Sequence, residues 1–111
     1  MAVLVVDEIE DEDVSAEIQL IARGLTCVCP VNGLTDTFTV QVDYRPMRGR
    51  VLELGAFRKL LDGYAGVQIT HEKLTHDLYA TIVEQIHPES VLVTTTWAPV
   101  EGVECAVRVG A

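Results

Sequence analysis

A chain of 111 residues with 49% apolar but only 5% aromatic side chains has an ordinary globular composition for one domain, with a core of Val, Leu, Ile and Ala. Such a domain buries only about two thirds of its unfolded surface by itself, so assembly with further copies is expected. The net charge of -9 argues against a general nucleic-acid binder, because phosphate affinity comes chiefly from Lys and Arg, although local binding stays open. The apolar run Ala2 to Val6 is too short to span a bilayer or to form a signal peptide, which predicts a soluble, cytoplasmic protein. With three cysteines at least one is unpaired, and a disulfide framework is not expected.

Taken along the chain, Val3 to Val6 reads as a short strand. Six of the seven residues from Asp7 to Asp13 are acidic, a solvated segment that is flexible or a charged loop. Glu17 to Cys29 is mostly extended with Gly24 as a bulge, and Thr37 to Tyr44 alternates strictly, placing Phe38, Val40, Val42 and Tyr44 on one face. Tyr44 to Arg50 reads as a loop containing Pro46 and Gly49, and Leu52 to Leu61 as a short helix stopped by Gly63. From Thr70 to His87, Leu74, Leu78, Ile82 and Ile86 recur every four residues, the stripe of a buried helix with Thr70 as N-cap and Pro88 as stop. Val91 to Ala98 and Val103 to Val109 are strands joined by a turn at Pro99 to Gly102. Val103, Cys105, Val107 and Val109 share a face. The order ββααββ predicts one α+β domain over 1–111, a four-stranded antiparallel sheet with two helices on one face. Its edge strands invite pairing between subunits.

The run Cys29-Pro30-Val31-Asn32-Gly33-Leu34-Thr35-Asp36 resembles the Cys-Pro-Val-Thr-Gly-x-Pro-Asp motif of the nitrile reductases of queuosine biosynthesis. His71-Glu72 matches the His-Glu pair that opens a long helix in those enzymes. Asn32 replaces the usual threonine and Thr35 the usual proline. The resemblance implies the tunnelling fold, whose unit has the element order derived above and whose subunits join their sheets into a barrel. It also implies roles. Cys29 is the nucleophile that attacks the nitrile carbon of 7-cyano-7-deazaguanine to give a thioimidate, and Asp36 is the acid and base that moves protons to the nitrile nitrogen. Glu72 accepts hydrogen bonds from the base, and His71 sits over the ligand or assists proton transfer.

These residue types suit that chemistry. A nitrile carbon is a weak electrophile and needs a soft nucleophile together with a proton donor. A free thiol of pKa about 8.5 is only slightly ionised at neutral pH, so a base or positive potential must assist. Taken singly, each residue has a plainer explanation: Cys29 as a buried inert thiol, Asp36 as a turn residue, Glu72 as a solvated partner of the helix dipole. Cys27 is expected to be a packing residue, with a resolving thiol as the lesser possibility, and His76 and His87 to be surface side chains. A zinc site from Cys27, Cys29, His71 and His76 is not expected, since Cys-x-Cys lacks structural spacing.

The second substrate turns on Glu53-Leu54-Gly55-Ala56-Phe57-Arg58-Lys59-Leu60-Leu61, where the reductases carry a lysine-rich, aromatic-ended motif that holds NADPH. Gly55 stands in place of the first lysine and Leu60 or Leu61 in place of the aromatic, while Arg58 keeps a cation at the second lysine position. The stretch is closer to the QueF-like archaeosine synthases, a cofactor-free branch in which ammonia attacks the thioimidate and yields a formamidine on the deazaguanine of tRNA. The expected activity is therefore amidine transfer, with ammonia as co-substrate, no metal and no redox cofactor. An NADPH-dependent reductase and a non-catalytic purine-binding module are the alternatives. Expected partners are tRNA carrying 7-cyano-7-deazaguanine, the free base, and further copies of the chain with sites at subunit interfaces. Arg45, Arg48, Arg50, Arg58 and Lys59 are the candidate tRNA contacts; the plain reading has these side chains solvated or paired with the acidic segment.

Overall fold

The computed structural model describes residues 6–8, 16–47 and 50–111. The elements run β1 (Val6–Glu8), β2 (Ile18–Val28), β3 (Thr35–Arg45), β4 (Arg50–Leu52), α1 (Leu54–Asp62), α2 (His71–Ile86), β5 (Ser90–Val100) and β6 (Val103–Gly110). The alternation read in Thr37 to Tyr44 is the body of β3, and its inward set Phe38, Val40, Val42 and Tyr44 is buried. β2 pairs antiparallel with β3, with a register shift between Ala22 and Leu25. Gly24 occupies that bulge at φ +71°, a left-handed conformation that costs glycine little.

The expected four-stranded sheet forms in the order β2-β3-β5-β6, antiparallel throughout, with β2 and β6 at its edges. α2 packs on β5 and β6, and α1 on β2. The stripe Leu74, Leu78, Ile82 and Ile86 is fully buried, each side chain contributing about 1.5–3 kcal/mol through removal from water. Thr70 caps α2, its Oγ1 accepting the Lys73 N–H at 3.2 Å. His87 closes the helix in a left-handed conformation, φ 46°, just before Pro88. Tyr44 reaches from β3 to the end of β4, where its buried Oη accepts the Leu52 N–H at 3.0 Å.

Several boundaries differ from the sequence reading. Arg50, expected in a loop, opens β4, which pairs with β1 in a separate two-stranded ribbon, Val6 opposite Leu52. Asp7 and Glu8, read as part of a flexible or looping acidic segment, are therefore in a strand, while residues 9–13 and the beginning of the expected Val3 to Val6 strand lie outside the described residues. The first helix starts at Leu54 instead of Leu52, because the Glu53 carboxylate caps it by accepting the Ala56 N–H at 2.6 Å. Pro99 and Val100 remain in β5, and the turn contracts to Glu101 and Gly102, both at positive φ as a two-residue hairpin loop requires. On β6, Cys105, Val107 and Val109 are half-buried, but Val103 is exposed where the strand begins. No helix among the described residues is long and apolar enough to cross a membrane.

Candidate active site

Cys29 follows the last residue of β2 and opens a closed turn. Its N–H donates to the Leu34 carbonyl and its carbonyl accepts the Gly33 N–H, each at 2.9 Å. Asn32 Oδ1 accepts the Leu34 N–H at 2.9 Å, an Asx turn, and Gly33 has φ +72°. Asn32 and Gly33 thus shape the loop without a proline at position 35, where Thr35 already begins β3. Cys29 is half-buried, and Val31 beside it is almost fully exposed.

A second segment is fastened to the same strand end. Val28 donates its N–H to the Val67 carbonyl at 2.9 Å and accepts the Ile69 N–H at 3.1 Å, a parallel bridge to Gln68. The residues leading into α2 are therefore held beside the cysteine loop, and the Thr70 cap then fixes where the helix begins. His71, its first residue, places Nε2 3.2 Å from Asp36 Oδ2, with the two side chains 23% and 14% exposed. An ionised Asp36 accepts a hydrogen bond from an imidazole N–H at that distance, and a protonated one donates a hydrogen bond to the bare ring nitrogen.

Asp36 stands opposite Cys27 in the β2–β3 register, so the two lie on the same, helix-covered face. The Cys27 thiol is 1% exposed and pushed up to about 11, first by burial, then by the Asp36 charge and by Cys29. Cys27, Asp36 and Cys29 thus share one electrostatic neighbourhood at the end of the sheet. A thiol so disfavoured from ionising fits the packing role expected of Cys27 and not that of a nucleophile.

The His71 ring lies flat on Trp97, centroids 3.6 Å apart and planes 7° from parallel, and Trp97 stacks in turn on Phe38 at 4.5 Å. Beneath them, Trp97 Nε1–H donates to Thr95 Oγ1 at 2.8 Å, Thr95 and Thr75 hydroxyls lie 2.7 Å apart, and Thr75 Oγ1 donates to the His71 carbonyl at 2.8 Å. Sequence reasoning missed Trp97, Thr95 and Thr75. The alternation of Val91, Val93, Thr95 and Trp97 marks an inward face, but only folding brings that face under the first turn of α2.

Glu72 is exposed in the first turn of α2, next to His71, and His76 and His87 are exposed as expected. Three of the predicted basic residues have partners within the chain. Arg45 pairs with Glu17 at 2.9 Å, Arg50 donates to the Gln85 carbonyl at 3.1 Å, and Arg58 bonds both Asp62 at 3.0 Å and the Arg23 carbonyl at 2.8 Å. Lys59 is exposed in the last turn of α1, and Arg48 lies outside the described residues. Among the described residues no three His, Cys, Asp or Glu side chains gather as metal ligands would.

A family model described as QueF-like protein matches residues 36–111. An archaeosine synthase of Pyrobaculum calidifontis is 40% identical over 77 residues, which are 69% of this chain and 69% of that protein. An NADPH-dependent 7-cyano-7-deazaguanine reductase of Frankia casuarinae is 33% identical over 95 residues, 86% of this chain and 75% of the relative. The apo crystal structure of an archaeosine synthase QueF-Like superposes with a TM-score of 0.78 at 37% identity, over 86% of this chain and 92% of the other. With its sheet, its two helices and more than half its length matched, the chain belongs to the QueF-like protein family.

Proposed function

We propose that this protein is an archaeosine synthase, an amidinotransferase that converts the nitrile of 7-cyano-7-deazaguanine in tRNA to a formamidine with ammonia. The observation that carries the reading is the meeting of Asp36 and His71 at the strand end that bears Cys29. The Cys29 thiolate adds to the nitrile carbon while Asp36 delivers a proton to the nitrogen, giving a thioimidate. Ammonia adds to the same carbon, the carbon–sulfur bond breaks, and the departing thiolate leaves a formamidine whose atoms are those of the nitrile plus ammonia. Asp36 takes up and returns the protons of the second half. Glu72, exposed beside His71, accepts hydrogen bonds from the donor edge of the base with its two oxygens.

The choice of ammonia over hydride is supported at α1. A side chain built at Gly55 would meet the Glu53 carboxylate at 3.2 Å, and that carboxylate is already committed to capping the helix. The position where the reductases carry their first lysine is thus held by glycine and a cap. The open edges β2 and β6 suit the joining of sheets into a barrel, with sites between subunits, in the cytoplasm where tRNA is available. Arg45, Arg50, Arg58 and Lys59, with Arg48, would then recur around the ring as tRNA contacts.

The test pairs two co-substrates. Incubation with the free nitrile base is expected to give a covalent mass gain that Cys29→Ala abolishes. Nitrile-bearing tRNA with ammonium is expected to gain the mass of ammonia with no NADPH consumed. Nitrile-dependent NADPH oxidation that ignores ammonium would make the protein a reductase, and absence of any adduct would leave it a purine-binding module.

A further inference from the structure

We infer that Trp97, Thr95 and Thr75 form a positioning circuit that sets the His71 ring against Asp36, an inference that rests on the amidinotransferase reading for its catalytic consequence. The direction of the hydrogen bonds follows from the donors available. An indole N–H only donates, so Thr95 Oγ1 must accept from Trp97. Thr75 uses its one hydroxyl hydrogen on the His71 carbonyl, so the hydrogen between the two threonines comes from Thr95. The chain therefore runs one way, from Trp97 to Thr95 to Thr75 to the backbone of His71.

A threonine that bonds the carbonyl four residues back is common in helices and by itself signifies nothing. Here the chain closes on itself, because the residue whose carbonyl ends it is also the residue whose ring lies on Trp97. His71 is held at two points, backbone and ring face, by one buried network, and both hydroxyls are fully buried. A break would leave a polar group without a partner in a low-dielectric interior. The indole also stacks with Phe38, two residues beyond Asp36 on β3, so the ring contacts link the strand that carries the carboxylate to the helix that carries the imidazole. With ring and backbone fixed, Nε2 is directed at Asp36 Oδ2. Catalytic geometry is sensitive at this scale, where a misplacement of about 1 Å can cost about 100-fold in rate.

The test replaces a hydroxyl with a methyl of the same shape. Thr95→Val removes the acceptor of the indole N–H and the donor to Thr75, whereas Thr95→Ser keeps both. Two signals are read on the full-length protein. In spectra of isotopically labelled histidine, the ring protons of His71, one of three histidines, should lie far upfield because the indole ring current acts on a stacked neighbour, and Asn or Gln in place of His71 assigns them. Thr95→Val is expected to lose that displacement and to slow turnover about tenfold with KM within about twofold. Thr95→Ser should restore both. Trp97→Phe keeps a stacking ring without the N–H and should reproduce the Thr95→Val turnover defect even if the valine variant fails to fold. An unchanged His71 signal in Thr95→Val, unchanged turnover in a folded Thr95→Val or Trp97→Phe, or no rescue by serine would overturn the inference. If the wild-type protein itself does not process the nitrile, the proposed function fails, while the His71 signal in the valine and serine variants still decides whether the circuit positions the ring.

Discussion

The Cys27 thiol makes the stability of this protein depend on pH in a way that can be measured. Its folded-state value is raised from 9.0 to about 11, mainly by burial at 1% exposure, with the charges of Asp36 and Cys29 adding to it. Folding favours the neutral thiol, so this contribution is complete below 9.0 and is lost as pH rises toward about 11. A displacement of that size corresponds to about 3 kcal/mol, a substantial part of the stability of a small domain. Tyr44 and Tyr64 are also raised by burial and lose stability in the alkaline range, so the informative quantity is a difference between two proteins. Urea unfolding of the wild type and Cys27→Ala, stepped through the interval at fixed protein concentration, isolates it. The alanine variant loses some packing at every pH, but its stability should fall less steeply by about 3 kcal/mol across the window. Parallel slopes for the two proteins would refute the reasoning, because they would mean that Cys27 titrates no differently folded than unfolded.

Two further outcomes follow from the same neighbourhood. With a value of about 11, Cys27 is ionised in roughly one molecule in a thousand near pH 8, so iodoacetamide should modify Cys29 in the native protein and spare Cys27 until it unfolds, as peptide mass mapping would reveal. Thr70→Ala removes the cap that accepts the Lys73 N–H and should cost about 1 kcal/mol in denaturant unfolding, with a loss of turnover beyond that of an equally destabilised variant in the core of α2, since His71 is the adjacent residue.

The elements and the inward faces were legible in the sequence because they depend on local periodicity and capping. Phe38 to Tyr44 alternates, Leu74 to Ile86 recurs every four residues, and Thr70 and Gly63 bound helices wherever the rest of the chain goes. The resemblance that selected Cys29, Asp36, His71 and Glu72 was also carried by residue identities and spacing alone. The ribbon of β1 and β4 was not legible, since two three-residue strands have no period of their own and exist only by pairing with each other. The contact between Asp36 and His71, 35 residues apart, was likewise decided by tertiary structure, through the bridge of Val28 to Gln68 that brings the start of α2 to the end of β2. The same step turned a lone tryptophan and two threonines into a support for His71. Hydrogen bonds and ring stacking need atoms within a few ångströms, and sequence spacing says nothing of that distance until the chain has folded.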